Sequence, residues 1–400
     1  MGRRLKGLVD DLGRRDDALN EWKEAAKFSE DELFERWSDL PVLTKDILRE
    51  RFEPEAIRER FGVRGVVSSS GGSTGEPTRF LHDPPMLRAT TAARLFAFMG
   101  MGWSPGITTI VIWGSERDIG KSRAPRARIS ALARNFWIVD GYAIDGRTLD
   151  RVMEVMDRAQ KVVIFGFSSL LEELARLALE RPPVAPGRVV TAWNGGEMLS
   201  QAQSELFERA FSVPILNLYG GREISAIGYQ KRQDAPLSLL RPFCFLEIVN
   251  ERGQPVPPGE KGRLLVTHTV CRGTPFIRYE IGDVGASNQA SYDRAGVAAL
   301  DELHGRTAGL LRLPSGKTIS NLFWNHFFKD YPEIQQFQVV VSRERKVTLR
   351  LKGSPLAPER EARFRHTLSG FLESTEIATD WVDTIPTTIQ GKRLQVVMEP

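Results

Sequence analysis

Two cysteines in 400 residues, Cys244 and Cys271, are too few for a disulfide framework or a cysteine-built zinc site. No apolar run approaches the ~18 residues that a bilayer span requires. The polar, basic stretch 1–15 lacks an apolar core, so it does not read as a secretory signal, and Lys6 stands where a myristoylation pattern needs Ser or Thr. These absences lead us to expect a soluble, cytoplasmic protein with no membrane partner. An excess of one charge is missing too, since 55 Lys and Arg against 51 Asp and Glu leave a formal net charge of +4. Basic clusters such as residues 121–128 read as solvated loop, and no nucleic-acid partner is expected. Gly 35 and Pro 23 are close to ordinary usage, which excludes collagen-like and broadly disordered chains.

What is present suits a folded enzyme-sized chain, with 41% hydrophobic and 26% charged residues. Leu33, Phe34, Trp37 and Leu40 recur at helical spacing before Pro41, and Thr44 offers a cap for a second helix through Ile47 and Leu48. Residues 107–113, 161–165, 188–193 and 213–218 read as buried strands, alternating with helices over 145–156, 168–179 and 200–211. That alternation predicts an α/β architecture with a largely parallel sheet. Beyond about residue 240 it gives way to strands over 243–249 and 262–269, a β-rich subdomain. A further strand–strand–helix pattern over 334–341, 346–351 and 358–372 predicts a small α+β domain at the C-terminus.

The strongest local signal is Ser68-Ser69-Ser70-Gly71-Gly72-Ser73-Thr74-Gly75-Glu76-Pro77-Thr78. Glycines bring backbone close to a ligand, and hydroxyls with free N–H groups cradle phosphate oxygens. The same run satisfies G-x-S-x-G, the nucleophile elbow of α/β-hydrolases, with Ser73 as nucleophile and a base among His82, His268, His304, His326 and His366. An elbow leads into a helix, whereas Pro77 to Phe80 reads as extended; a bare flexible loop is the third reading. Residues 114–122 imitate a Walker loop but hold five residues between the glycines where four are required, and read as solvated loop. Three further stretches combine glycine with charge: Asn217-Leu218-Tyr219-Gly220-Gly221-Arg222-Glu223, Arg278-Tyr279-Glu280-Ile281-Gly282-Asp283, and Pro386-Thr387-Thr388-Ile389-Gln390-Gly391-Lys392. The first follows a predicted strand end, where open α/β sheets bind ligands.

In this order, and with Leu40-Pro41-Val42-Leu43-Thr44-Lys45 ahead of them, the motifs resemble the adenylate-forming superfamily of acyl-CoA synthetases, adenylation domains and luciferases. Within it they look most similar to the phenylacetate–CoA ligase and coenzyme F390 synthetase-like branch. The resemblance implies a large domain over 1–304, a hinge at 305–308 and a small mobile domain over 309–400. It implies ATP and magnesium as cofactors, a small-molecule carboxylic acid as substrate, and coenzyme A, a carrier-protein thiol or an amine as acceptor. Ser70, Gly71, Gly72, Ser73, Thr74 and Gly75 would close over the β- and γ-phosphates. Gly195, Gly196, Glu197 and Tyr219 would wall the adenine, while Asp283 and Arg306 would serve the ribose. Glu223 would hold magnesium, and Lys392 would bridge the acid and the α-phosphate. Arg222 departs from the family, which commonly has Thr or Ser there, and by its charge would still hold the α-phosphate. Phe165, Ser168, Trp193 and Asn194 fall where the family lines its acid pocket, and their aromatic content suits a flat acid. A non-catalytic relative that keeps the fold is the remaining alternative.

Overall fold

The structure is a computed structural model; its described residues are 1–15, 19–69, 78–113, 135–140, 146–293, 296–306, 311–312, 318–319, 324, 327–328, 331, 333–342, 346–372, 377–386 and 396–398. The loop 70–77, the Walker-like stretch 114–122, His326 and Lys392 lie outside them.

The chain starts with helices Gly2–Gly13, Asn20–Ala25 and Glu30–Glu35. The first turns Leu5, Leu8, Val9 and Leu12 inward, as an amphipathic period requires. The helix expected through Leu40 breaks at Arg36, and a short 3-10 turn, Trp37–Asp39, follows. The break has a physical reason: Trp37 is buried and its Nε1 donates to the Glu247 carboxylate at 2.9 Å, while Phe34 stays 38% exposed. Thr44 caps the helix Lys45–Arg51 as expected, its hydroxyl accepting from the Ile47 amide. Strands β1 (Val66–Ser69) and β2 (Arg79–His82) then pair antiparallel, so the glycine-rich segment joins the arms of a hairpin. A strand, not a helix, follows that segment, contrary to a nucleophile elbow.

After the helix Pro84–Gly100 come β3 (Thr108–Trp113), β4 (Phe136–Asp140), β5 (Val162–Gly166), β6 (Val189–Gly195), β7 (Ile215–Gly221), β8 (Ser225–Tyr229) and β9 (Leu237–Leu239). Next are β10 (Cys244–Val249), β11 (Gly262–His268), β12 (Tyr279–Ala286), a minimal pair β13 (Tyr292–Asp293) and β14 (Gly296–Val297), then β15 (Ala299–Leu300) and β16 (Glu302–Arg306). Among the described residues β15-β9-β8-β7-β6-β5-β3-β4 form one sheet. It is parallel from β4 to β7 and antiparallel beyond. Helices Gly146–Arg158, Ser168–Leu179 and Gln201–Phe211 bury one face through Ile110, Ile164, Leu171 and Phe207. The other face meets Pro84–Gly100, where Phe98 stacks on Trp193 at 4.5 Å.

Strands β10-β11-β12-β16 make a separate antiparallel sheet. Toward the C-terminus a short pair, β17 (Leu311–Arg312) and β18 (Thr318–Ile319), precedes β19 (Ile334–Val341), β20 (Val347–Gly353), the helix Pro358–Phe371, β21 (Ile377–Trp381) and β22 (Val396–Met398). The last four strands form a mixed sheet in the order β21-β20-β19-β22, with a core of its own around Trp324, Phe328, Phe364 and Leu368. The α/β, β-rich and α+β characters expected in turn along the chain are all present.

Candidate active site

The parallel strands β5, β6 and β7 end in Gly166, Gly195 and Gly221, and their following turns carry the polar residues that composition singled out. At the end of β7 a Cβ on Gly220 would lie 2.0 Å from the Ser225 carbonyl oxygen. Only glycine allows β7 and β8 to approach so closely, and the register between them slips at this point. The turn between them presents Arg222 and the buried Glu223, which is 3% exposed.

Strand β12 brings the matching half. Leu265 of β11 pairs with Glu280 and Arg263 pairs with Val284, so Ile281, Gly282 and Asp283 bulge out opposite Leu264 alone. Gly282, at φ +90°, supplies the backbone shape that the bulge needs. Asp283 is lifted toward β7, where the Tyr219 hydroxyl donates to its Oδ2 at 2.8 Å. Four residues earlier on β12, the Tyr279 hydroxyl donates to Glu223 Oε1 at 3.3 Å. On its other edge β12 pairs Asp283 with Arg306 of β16. The structure therefore brings Tyr219, Glu223, Asp283 and the backbone of Arg306 into one place between the two sheets. His82, on the strand leaving the glycine-rich segment, donates from Nε2 to the Glu223 carbonyl at 3.0 Å.

Glu197, Ser168 and Asn194 form a second cluster. Glu197 Oε2 accepts from the Ser169 amide at 3.0 Å and the Ser168 hydroxyl at 3.1 Å, capping the helix Ser168–Leu179. Asn194 accepts from the Ser168 amide at 3.0 Å and donates to the Glu197 carbonyl at 2.7 Å. These bonds hold the loop Gly195-Gly196-Glu197 against the end of β5. Phe165 and Trp193 are register partners on adjacent strands, with ring centroids 6.2 Å apart. Trp193 is fully buried under Phe98, and its indole N–H finds no acceptor among the described residues.

Sequence reasoning missed Arg278. It is 1% exposed, sits at φ +47°, and its Nε donates to Glu247 Oε1 at 3.0 Å. Its guanidinium also donates to the carbonyls of Ser38, Leu40 and Gly253. Leu43 and Tyr279 make a parallel bridge beside it, so the segment 38–43 is stapled to the start of β12. Burial pushes the Glu247 carboxyl up, against the pull of Arg278 and of the Trp37 hydrogen bond. One signal was available: the strand Cys244–Val249 and the segment 276–279 leading into β12 each carry a single charge, of opposite sign, in an otherwise apolar run.

Three of the candidate histidines, His82, His268 and His304, hold structural bonds. Burial lowers His82, against the opposing pull of the Glu223 carbonyl. His268 is held near a pKa of about 3 by burial and then by the neighbouring His82, and its Nδ1 accepts from the amides of Cys271 and Val270. His304 contacts Glu302 at 2.8 Å. Burial pushes Cys244 up to about 12 and Cys271 upward as well, so neither is a ready thiolate nucleophile.

The whole chain superimposes on 88% of a 2-hydroxyisobutyryl-CoA ligase, solved in the postadenylation state in complex with R3-HIB-AMP, at a TM-score of 0.74 and 18% identity. The chain has the fold of the acyl-CoA ligases. It also resembles ATP-bound MatB from Rhodopseudomonas palustris, with TM-score 0.60 and 16% identity over 82% of this chain and 66% of that one. Residues 141–273 match the family described as AMP-binding enzyme. Protein CapK of Staphylococcus aureus is 21% identical over 251 residues, 62% of this chain and 53% of CapK, so the match spans about half of that relative. The family match covers about a third of the chain, and the solved neighbours show a shared fold.

Among the described residues no three His, Cys, Asp or Glu side chains converge on a metal position, and no helix is long and apolar enough to cross a membrane. A lone buried carboxylate such as Glu223 fits magnesium only as a magnesium–phosphate complex, the manner in which that ion is usually held.

Proposed function

We propose that the protein activates a carboxylic acid as its acyl-adenylate at the expense of ATP and then passes the acyl group to an acceptor. The observation that carries this reading is the Tyr219–Asp283 contact at 2.8 Å, beside the buried Glu223, at the carboxyl end of β7. An aromatic ring with a carboxylate at its hydroxyl suits a nucleoside: the ring lies against the base, and the carboxylate accepts from the ribose diol. Arg306 is the register partner of Asp283 and joins the ribose side. The glycine-rich segment 70–75, which follows β1 in sequence, would cradle the phosphates. Gly195, Gly196 and Glu197 complete the adenine wall; Phe165, Ser168, Trp193 and Asn194 back the acid pocket.

A carboxylate oxygen of the acid bonds to the α-phosphorus, the bond from that phosphorus to the β-bridging oxygen breaks, and pyrophosphate leaves. Arg222 and Lys392 offset charge on the α-phosphate, and most of the acceleration comes from positioning and charge neutralisation. Magnesium, held by Glu223 with phosphate oxygens, supplies further neutralisation when bound. In the second step a thiol of coenzyme A or of a carrier protein, or an amine, bonds to the acyl carbon and AMP leaves. The division into 1–304, a hinge at 305–308 and 309–400 lets Lys392 attend the first step and withdraw for the second. The placement nearest the phenylacetate–CoA ligase-like branch, and the preference for a flat aromatic acid, belong to the same reading.

The test is acid-dependent pyrophosphate exchange over a panel of carboxylic acids, followed by acceptor addition to the best acid. Lys392→Ala should nearly abolish exchange while sparing transfer from supplied acyl-adenylate. Absence of exchange with every acid, together with no ATP binding, refutes the proposal. A hydrolase is not favoured, because His82, His268 and His304 are all engaged in internal contacts.

A further inference from the structure

The two segments that carry the carboxylates share a spacing. Tyr219 precedes Glu223 by four residues, and Tyr279 precedes Asp283 by four. Each tyrosine bonds the other segment's acid. The Tyr219 hydroxyl on the large sheet donates to Asp283 on the small one, and the Tyr279 hydroxyl on the small sheet donates to Glu223 on the large one. Both tyrosines are buried, at 8% and 0% exposure, and Glu223 is buried with them. Each carboxylate sits beside a backbone irregularity, the slipped register of β7 on β8 and the bulge of β12 on β11. Backbone of that kind leaves side-chain aim to be set by partners outside the ladder.

We propose that Tyr219 and Tyr279 form a reciprocal clasp, each a positioning residue that fixes the other segment's carboxylate and locks the two sheets together across the site. This deepens the nucleotide reading and rests on it for its ligand consequences. With Asp283 on the ribose diol and Glu223 on the magnesium–phosphate group, the clasp makes a crossed prediction. The hydroxyl of the adenine-wall residue Tyr219 governs ribose recognition, and the hydroxyl of Tyr279 on the ribose-side strand governs magnesium dependence. A hydroxyl that only helps the protein fold would shift both properties together.

Tyr219→Phe and Tyr279→Phe remove one hydroxyl each and keep the ring. The full chain is titrated with ATP, with 2′,3′-dideoxy-ATP and with magnesium, following binding by calorimetry. Tyr219→Phe should lower the preference for ATP over the dideoxy nucleotide by about three- to tenfold, the worth of one hydrogen bond, and leave half-saturating magnesium unchanged. Tyr279→Phe should raise half-saturating magnesium by about the same factor and leave the ribose preference unchanged. Equal shifts of both readouts in both variants, or no shift in either, overturn the crossed assignment. Thermal midpoints without nucleotide provide the independent arm, from two double-mutant cycles: Tyr219→Phe with Asp283→Ala, and Tyr279→Phe with Glu223→Ala. The clasp requires non-additivity in both, and additivity in either overturns it whether or not ATP binds. Coupled cycles in a protein that ignores ATP reject the nucleotide reading and leave the clasp standing.

Discussion

Acid should destabilise the junction between β11 and β2 through a single imidazole, His268. In the folded protein its pKa is about 3, and burial is the larger cause. The unfolded value is the ordinary one, near 6.5. A base whose folded pKa is depressed takes up its proton on unfolding, so stability is intact above about pH 6.5 and falls as pH drops toward about 3. At pH 4.5 the linkage amounts to about 2–3 kcal/mol, and by pH 3 it approaches ~4–5 kcal/mol. Asparagine is the informative replacement. Its Oδ1 can take the place of Nδ1, which accepts from the Cys271 amide at 3.0 Å and the Val270 amide at 3.3 Å, and it cannot be protonated. Thermal midpoints of the parent and of His268→Asn, followed by tryptophan fluorescence at pH 7.5 and 4.5, isolate this residue because every other titrating group is common to both. The parent should lose about 3–5 °C more than the variant over that interval, taking about 1–2 °C per kcal/mol for a chain of this size. Equal losses in the two proteins would refute the argument, since the proton would then be entering elsewhere.

Arg278→Ala strips Glu247 and three backbone carbonyls of their partner, and the loss of stability should be about 3–5 kcal/mol. Arg278→Lys should recover only part of it, because one ammonium cannot reproduce the planar fork, and full recovery in thermal melts would contradict this. Glu197→Ala removes the acceptor from the Ser169 amide, and one of two from the Ser168 hydroxyl, which keeps the Met198 carbonyl; it should cost about 1–2 kcal/mol and raise hydrogen exchange in the first turn of the helix Ser168–Leu179. Gly273→Ala would set a Cβ 2.3 Å from the Leu81 carbonyl oxygen and disturb the two amides, at Arg272 and Gly273, that bond Asp83. It should lower the melting temperature by several degrees, and an unchanged melt would show that β2 can move aside.

What is legible in the sequence, and what is not, divides along the range of the interactions. Strands β3, β5 and β6 and the helices that follow to 211 can be read because each depends on neighbours within one turn or one pleat, and the Ser168–Leu179 bounds match the expected 168–179, whereas the strand Phe136–Asp140 is not among those expected. Tyr219, Glu223 and Asp283 can be singled out because glycines flank them, and a glycine beside a charge marks backbone bent for a purpose. Their pairing cannot be read, because Tyr219 meets Asp283 across 64 positions and Tyr279 meets Glu223 across 56. Arg278 is harder still, for its partners at Ser38 and Leu40 are backbone carbonyls 240 and 238 residues away, and a carbonyl leaves no trace in residue identity. The same argument explains the broken helix at Arg36: local period favours continuing it, but the buried Glu247 draws the Trp37 indole as a donor alongside Arg278, a partner 210 residues away that local period cannot show. The residues proposed to meet a nucleotide announce themselves through composition. Those that hold them in place are chosen by distant backbone, and only the fold reveals them.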